Sequence, residues 1–312
     1  MSWVVWRQGR SENVLIGALL AALAALLLLT GAHMHSVFDG NQLSLCTNAS
    51  HRPASCALLS SAFESQFNTL NQLGSWLGLT SGLLGVLLAT PIVLELDQGT
   101  YRLAWTQSIT PRRWLTTRLA ALGLGALIGG GLMIALATWS RQPLDLLIGR
   151  IDPNSFDLEG IVPVAYTLFA ASAVLAIGTI TRRTGLAVSA GFGTYVIARL
   201  IVRAVRQDLI APVRAVLPIP QGPPGIFHAW EISHGFTDSR GHPIPSSIVT
   251  GCFDAHGNLV PQCLAHHHVF QTFVFEPASR FWPLQAVEAG IFLALSAGAI
   301  GLTVWWIRQR IA

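Results

Sequence analysis

The sequence predicts an all-α integral membrane protein of six transmembrane helices, with a small disulfide-bonded extracellular cap between spans five and six. Three observations carry that expectation. The 312 residues are 52% hydrophobic and only 11% charged, with mean hydropathy +0.52, more apolar than a soluble globular domain. Six apolar runs long enough to cross a bilayer alternate with polar segments. Arginines and cysteines sort to opposite ends of those runs.

Residues 1–13 carry Trp3, Trp6, Arg7 and Arg10, a composition suited to a short segment lying in the membrane interface. Span one covers 14–34, and its apolar stretch is longer than a signal-peptide core, so it reads as a retained helix. The polar segment 35–72 holds Cys46 and Cys56 and ends in a mildly amphipathic stretch at 57–72. Span two, 73–94, bears no charge and spaces Gly74, Gly78 and Gly82 four apart. Such a ladder lets another helix approach closely, either within the chain or across a subunit interface.

The loop 95–114 follows. Gly99 interrupts the helix and Thr100 offers an N-cap, so 100–108 can form a short helix; Thr110 and Pro111 then start the next one. Span three, 115–139, repeats the small-residue spacing at Gly125 and Gly129, and 140–160 reads as a short acidic loop. Span four, 161–180, and span five, 185–204, are joined by a tight turn containing Arg182 and Arg183. Proline-rich residues 205–280 form the cap, where turn residues 254–258 separate two short strand-like pieces between Cys252 and Cys263, a hairpin pinned by a disulfide. Span six lies in 281–312, bounded by Trp282, Trp305 and Trp306 and followed by Arg308 and Arg310. The organisation is thus a membrane domain, 1–204, an extracellular domain, 205–280, and a closing segment, 281–312.

Segments 1–13, 95–118, 181–184 and 308–312 hold ten arginines in 46 residues, whereas 35–72, 140–160 and 203–280 hold eight in 137. The first set, with both termini, is expected in the cytoplasm of a bacterium. All four cysteines fall on the other side, as disulfides in an oxidising compartment would. Four cysteines allow three pairings; Cys46 with Cys56 and Cys252 with Cys263 is the local one, and free thiols are the alternative.

All 19 basic residues are arginine, so a Walker A lysine has no candidate anywhere in the chain. The net charge of +4 comes from arginines beside apolar runs rather than from a basic stripe on a polar fold, so no nucleic-acid partner is expected. Two charges lie inside spans: Arg199 in span five and Glu288 in span six. An unpaired charge at that depth costs about 2.5–3.5 kcal/mol on insertion scales. Counted along antiparallel helices their depths match, which predicts an Arg199–Glu288 ion pair, with Arg203 and Arg206 continuing the face outward toward a lipid phosphate or an anionic substrate. The plainer reading is a cluster that only tethers two helices. His266, His267 and His268 are adjacent and cannot all face one ion, so no metal site is expected. No catalytic constellation appears either.

The stretches ELDQGTYRLAWTQ at 95–107 and TPRRW at 110–114 resemble the loop after span two in actinobacterial ABC-2 type transporter permeases. FDLEGIVP at 156–163 and ASRFWPLQAVE at 278–288 extend the likeness over nearly the whole chain outside the cap. Leu96 and Asp97 stand where that family would carry an aromatic residue and a glutamate, a change that keeps the acid. The resemblance implies the ABC-2 permease fold and a transport subunit without enzymatic activity of its own. Two copies of a separate ATPase, which binds ATP and Mg, would pair with two permeases, as a homodimer. It makes 100–108 the coupling helix, with Glu95, Asp97, Gln98, Gly99, Thr100, Arg102, Trp105, Thr106, Arg112 and Arg113 as the ATPase-facing residues. The function it implies is export of a hydrophobic or amphipathic compound, such as a drug, lipid or peptide antibiotic. A membrane immunity or sensor protein that binds a ligand through its cap and moves nothing is the alternative.

Overall fold

The computed structural model describes residues 10–47, 55–101, 110–219, 228–254 and 260–310. Seven long helices order as α1 (Arg10–Gly40), α2 (Cys56–Leu77), α3 (Leu79–Asp97), α4 (Pro111–Ile148), α5 (Val162–Thr181), α6 (Thr184–Val205) and α7 (Phe281–Arg310). They give six stretches long and apolar enough to cross a membrane, because α2 and α3 run on as one, Cys56–Asp97, across a single turn residue at Gly78.

Helix α5 is the axis. Its most apolar window is 72% buried, against 17% for α1, so the other helices stand around it. Alanines 165, 170, 171, 173 and 176 line it, and small side chains let α3, α6 and α7 pack close. The core beside α5 joins Val86, Ala89, Val93 and Leu96 of α3 to Val174 and Leu175.

Several helices outrun the expected spans. Helix α2 starts at Cys56 rather than at 73, because the stretch 57–72 buries Phe63 and Phe67 against Met34 and Phe38 of α1 and Leu144 and Leu147 of α4. Helix α4 begins as its cap residues dictate: Thr110 is extended and accepts from the Arg113 amide at 3.4 Å, with Pro111 in the first turn. It then passes the expected end at 139, and Pro143, to reach Ile148, with Arg141 buried and Asp145 half-buried against neighbours instead of facing water. At 1.5 Å per residue, its 38 residues span about 57 Å, well beyond a hydrocarbon core of about 30 Å.

Between α6 and α7 in sequence, toward the C-terminal part of the chain, β1 (Val213–Pro218), β2 (Trp230–Thr237) and β3 (Phe270–Glu276) make an antiparallel sheet of order β1-β3-β2. Val213 faces Phe275 across one ladder and Thr237 faces Phe270 across the other, with a register shift between Glu231 and Ser233. Disulfides join Cys46 to Cys56 and Cys252 to Cys263. Most of the turn of the hairpin expected between the second pair, at 254–258, lies outside the described residues, as do 1–9. A single-turn helix, Ser246–Thr250, ends just before Cys252, another, Pro261–His266, contains Cys263, and one backbone bond, from the Val260 amide to the Cys252 carbonyl at 2.9 Å, lies beside the disulfide.

Candidate functional site

Two places gather polar residues that the membrane helices would otherwise reject. The first is the end of the bundle where α3 stops and α4 starts. Asp97, the last residue of α3, accepts from the Thr184 amide at 2.9 Å and from the Thr184 hydroxyl at 2.7 Å, so a carboxylate on one helix caps the N-terminus of α6. Glu95 pairs with Arg118 of α4. Gly99 takes a positive φ of 71° to turn the chain out of α3, and the Thr100 hydroxyl donates back to the Glu95 carbonyl at 3.4 Å. Gln98, Asp97, Arg112 and Arg113 are exposed around this end, while Tyr101 and Trp114 are buried beneath it. Arg102, Trp105, Thr106 and the rest of the expected short helix at 100–108 lie outside the described residues from 102 onward.

The second place is a charge cluster at the other end of α6. The segment 149–161 folds inward against the helices, with a 3-10 turn at Phe156–Leu158 whose three residues are all buried. Gln285 of α7 fastens it: its Oε1 accepts from the Ile161 and Val162 amides, both at 3.0 Å, and its Nε2 donates to the Phe156 carbonyl at 2.9 Å. A side chain from the last helix thus caps the start of α5. Gly160 supplies the positive φ of 68° that this approach needs, and a Cβ there would run into Gln285.

Asp157 is delivered by this fold into the centre of the cluster. It pairs with Arg199 of α6 and with Arg206, the first residue after that helix. Arg206 also reaches Glu288 with its Nε at 2.8 Å and its Nη2 at 3.0 Å, and its guanidinium lies 4.4 Å over the Phe156 ring. The Tyr166 hydroxyl donates to Glu288, Arg199 donates to the Ser75 carbonyl at 2.7 Å, and the Tyr195 hydroxyl donates to the Gly78 carbonyl at 3.0 Å. Two carboxylates and two guanidiniums, each at most 4% exposed, make a neutral and closely bonded set. Burial pushes the Asp157 carboxyl up, but Arg206 and then Arg199 outweigh it and hold the group below its ordinary value.

Two sequence expectations are corrected by this arrangement. Arg199 and Glu288 share the cluster without pairing directly, because Asp157 comes between them and Arg206, two helical turns above Arg199, takes the glutamate. Arg206 points inward and is 1% exposed, so it does not continue an outward anionic-ligand face; Arg203 is half-buried beside it. The sequence reading did not place Asp157 in the cluster; its signal is an acid two residues before Glu159, just ahead of an apolar span. The glycine ladder serves this same region inside the chain. A Cβ on Gly74 would meet the Asn154 carbonyl, on Gly78 Arg199 and Asp157, and on Gly82 the ring of Tyr195.

A family model described as "ABC-2 membrane transporter related" matches residues 17–206, which takes in most of α1 and all of α2 to α6. No curated protein and no solved structure matches the chain. A match over more than half of the residues, on a frame of six membrane-crossing helices, settles the family: this chain belongs to the ABC-2 type membrane transporters and is a multi-pass membrane permease of an ABC-type system.

Proposed function

We propose that this chain exports a hydrophobic or amphipathic compound across a bacterial cytoplasmic membrane, driven by ATP and Mg bound in a separate ATPase that grips the loop 95–114. Two permeases, as a homodimer, would work with two ATPases. Both termini and the loop face the cytoplasm, and the cap within 205–280 lies outside, a placement supported by the arginine bias and by the two disulfides.

The observation that carries the reading is how the ends of this loop are tied. Asp97 holds α3 to the start of α6, and Glu95 holds α3 to α4. A push on the loop therefore displaces three helices around α5 together, which is what a rigid-body change between inward-facing and outward-facing states requires. The bundle in turn offers the ATPase a polar rim of Gln98, Arg112 and Arg113.

The test is co-expression with candidate P-loop ATPases, co-purification, and ATP hydrolysis with and without amphipathic compounds. Replacing Arg102 and Trp105 together should abolish compound-stimulated hydrolysis while the purified permease keeps its helix content. A chain that captures no ATPase, or coupling that survives the double replacement, refutes the proposal.

A further inference from the structure

The C-terminal end of α4 meets the inturned segment 149–161 through two acids. Asp145 and Glu159 hydrogen-bond each other, side chain to side chain. An ionised carboxylate only accepts, so two of them have nothing to bond with; the contact exists with one proton held between them.

The neighbouring cations do not take that proton's place. Arg150 gives its Nε to Glu159 Oε2 at 2.9 Å and lays its guanidinium 4.7 Å over the Phe281 ring and 5.9 Å over that of Trp282. Arg141 gives its Nη2 to Asn71 of α2 at 2.9 Å. Its Nε stands 3.6 Å from Glu159 Oε1 and 4.0 Å from Asp145 Oδ1, with a hydrogen bond to neither. Of the two acids, the arginines therefore bond Glu159 alone. Glu159 is 0% exposed, and a second full negative charge beside it, given no N–H of its own, would bear the desolvation cost with little in return. The other titratable side chains nearby are engaged elsewhere. His35 of α1 donates to the Trp139 carbonyl at 3.0 Å, His228 to the Leu146 carbonyl at 2.8 Å, and Asp152 accepts from the Asn154 amide at 2.8 Å.

Only one of the two acids reaches open space. Asp145, with Thr138, Trp139, Gln142 and Arg150, lines a cavity of about 630 Å³ that neither the coupling loop nor the Arg206 network uses, while Glu159 lies behind it. We propose that Asp145 and Glu159 are one proton-binding site, loaded and emptied through this cavity, and that its proton fastens the end of α4 to the segment 149–161. Loaded, the pair is an acid donating to a carboxylate. Emptied, with the proton gone to water, it is two like charges side by side in a buried place, and they part. The end of α4 then loosens from the segment that delivers Asp157 to its arginines. Which compartment supplies the proton rests on the orientation proposed above; the shared proton does not.

Infrared spectroscopy of the full chain in an ester-free detergent, in H2O and in D2O, tests this. Wild type at neutral pH should show the carbonyl stretch of an un-ionised carboxylic acid, which shifts in D2O and fades as pH is raised. Asp145→Asn and Glu159→Gln should each abolish the whole band, since either leaves a single acid beside two arginines. A carboxyl that was merely buried would lose its band only with its own replacement. In the same wild-type protein, amide hydrogen exchange at 144–150, corrected for the intrinsic effect of pH, should quicken over the range in which the band fades. The rise should reach up to about tenfold per pH unit, the dependence of an opening that releases one proton. Asp145→Asn keeps a hydrogen for Glu159, so its exchange there should be slow and indifferent to pH. A wild type without an acid band at neutral pH, a band that survives either replacement, or exchange unmoved while the band fades overturns the proposal. The wild-type measurements need no variant, so a replacement that fails to fold leaves them decisive. None of these readouts involves the ATPase, so their failure is separable from failure of the export reading.

Discussion

Arg206→Leu removes the arginine that bonds both carboxylates of the buried cluster. Arg206 bonds Asp157, binds Glu288 through two nitrogens at 2.8 and 3.0 Å, and covers the Phe156 ring, all at 1% exposure. Leucine fills part of the space but leaves Asp157 and Glu288 facing Arg199 alone, a buried excess of one negative charge. Breaking one side of such a pair costs about 3–5 kcal/mol. Against a typical total stability of about 5–15 kcal/mol this is a large fraction. Thermal unfolding of the purified protein, followed by tryptophan fluorescence, should show a midpoint lower by on the order of 10 °C. Adding Glu288→Gln restores neutrality, keeps an acceptor for the Tyr166 hydroxyl, and should recover most of the loss, to within about 1–2 kcal/mol of wild type. A single variant that costs less than about 1 kcal/mol, or a double variant less stable than the single, refutes the argument that charge balance holds this cluster.

Three further outcomes follow from the geometry. Because the folded Asp157 carboxyl sits below its ordinary value of 3.8, its stabilisation is complete above that value and is lost as pH falls through the folded one; the midpoint should drop below about pH 4, and Asp157→Asn should flatten that limb of a pH series. Asp97→Ala removes the cap on α6, so amide hydrogen exchange should quicken at 184–187 while the buried centre of α5 stays protected; unchanged exchange would show that the cap holds nothing. Replacing Cys252 and Cys263 by serine opens a loop whose closure is worth about 3 kcal/mol, and it should loosen the small core of Ile219, Leu264 and Val269 without shifting the main unfolding midpoint.

The spans were legible because a bilayer demands some twenty apolar residues in a row, and runs such as Ile161 to Ile180 leave little choice. What lies at their ends was not. Helix α4 continues over Arg141, Pro143 and Asp145 because Asn71 and Glu159 stand opposite, and those partners are far away in sequence. The Arg199–Glu288 expectation had the right depth but the wrong partners, since nothing local reveals that Gln285 draws Asp157 into the gap. The three strands were hidden for another reason: β1 ends in proline and β2 shifts register at Glu231, so neither shows clean alternation. Of the loop after α3, the cap at Thr110 and the turn at Gly99 were readable from residue types alone, whereas the use of Asp97 as a brace for α6 depends on the neighbouring turn at Arg182 and Arg183.

The fastening by Gln285 and Glu288 also sets an order of biogenesis. When a ribosome has delivered the chain only as far as Arg206, Asp157 must face two arginines with its other neutralising acid still unmade, and the amides of Ile161 and Val162 wait for an acceptor about 120 residues downstream. Insertion of the final hairpin partner into the lipid is thus the event that converts a charged, provisional bundle into a finished one. Chains cut short before it would advertise an uncancelled positive charge to the membrane's quality-control proteases.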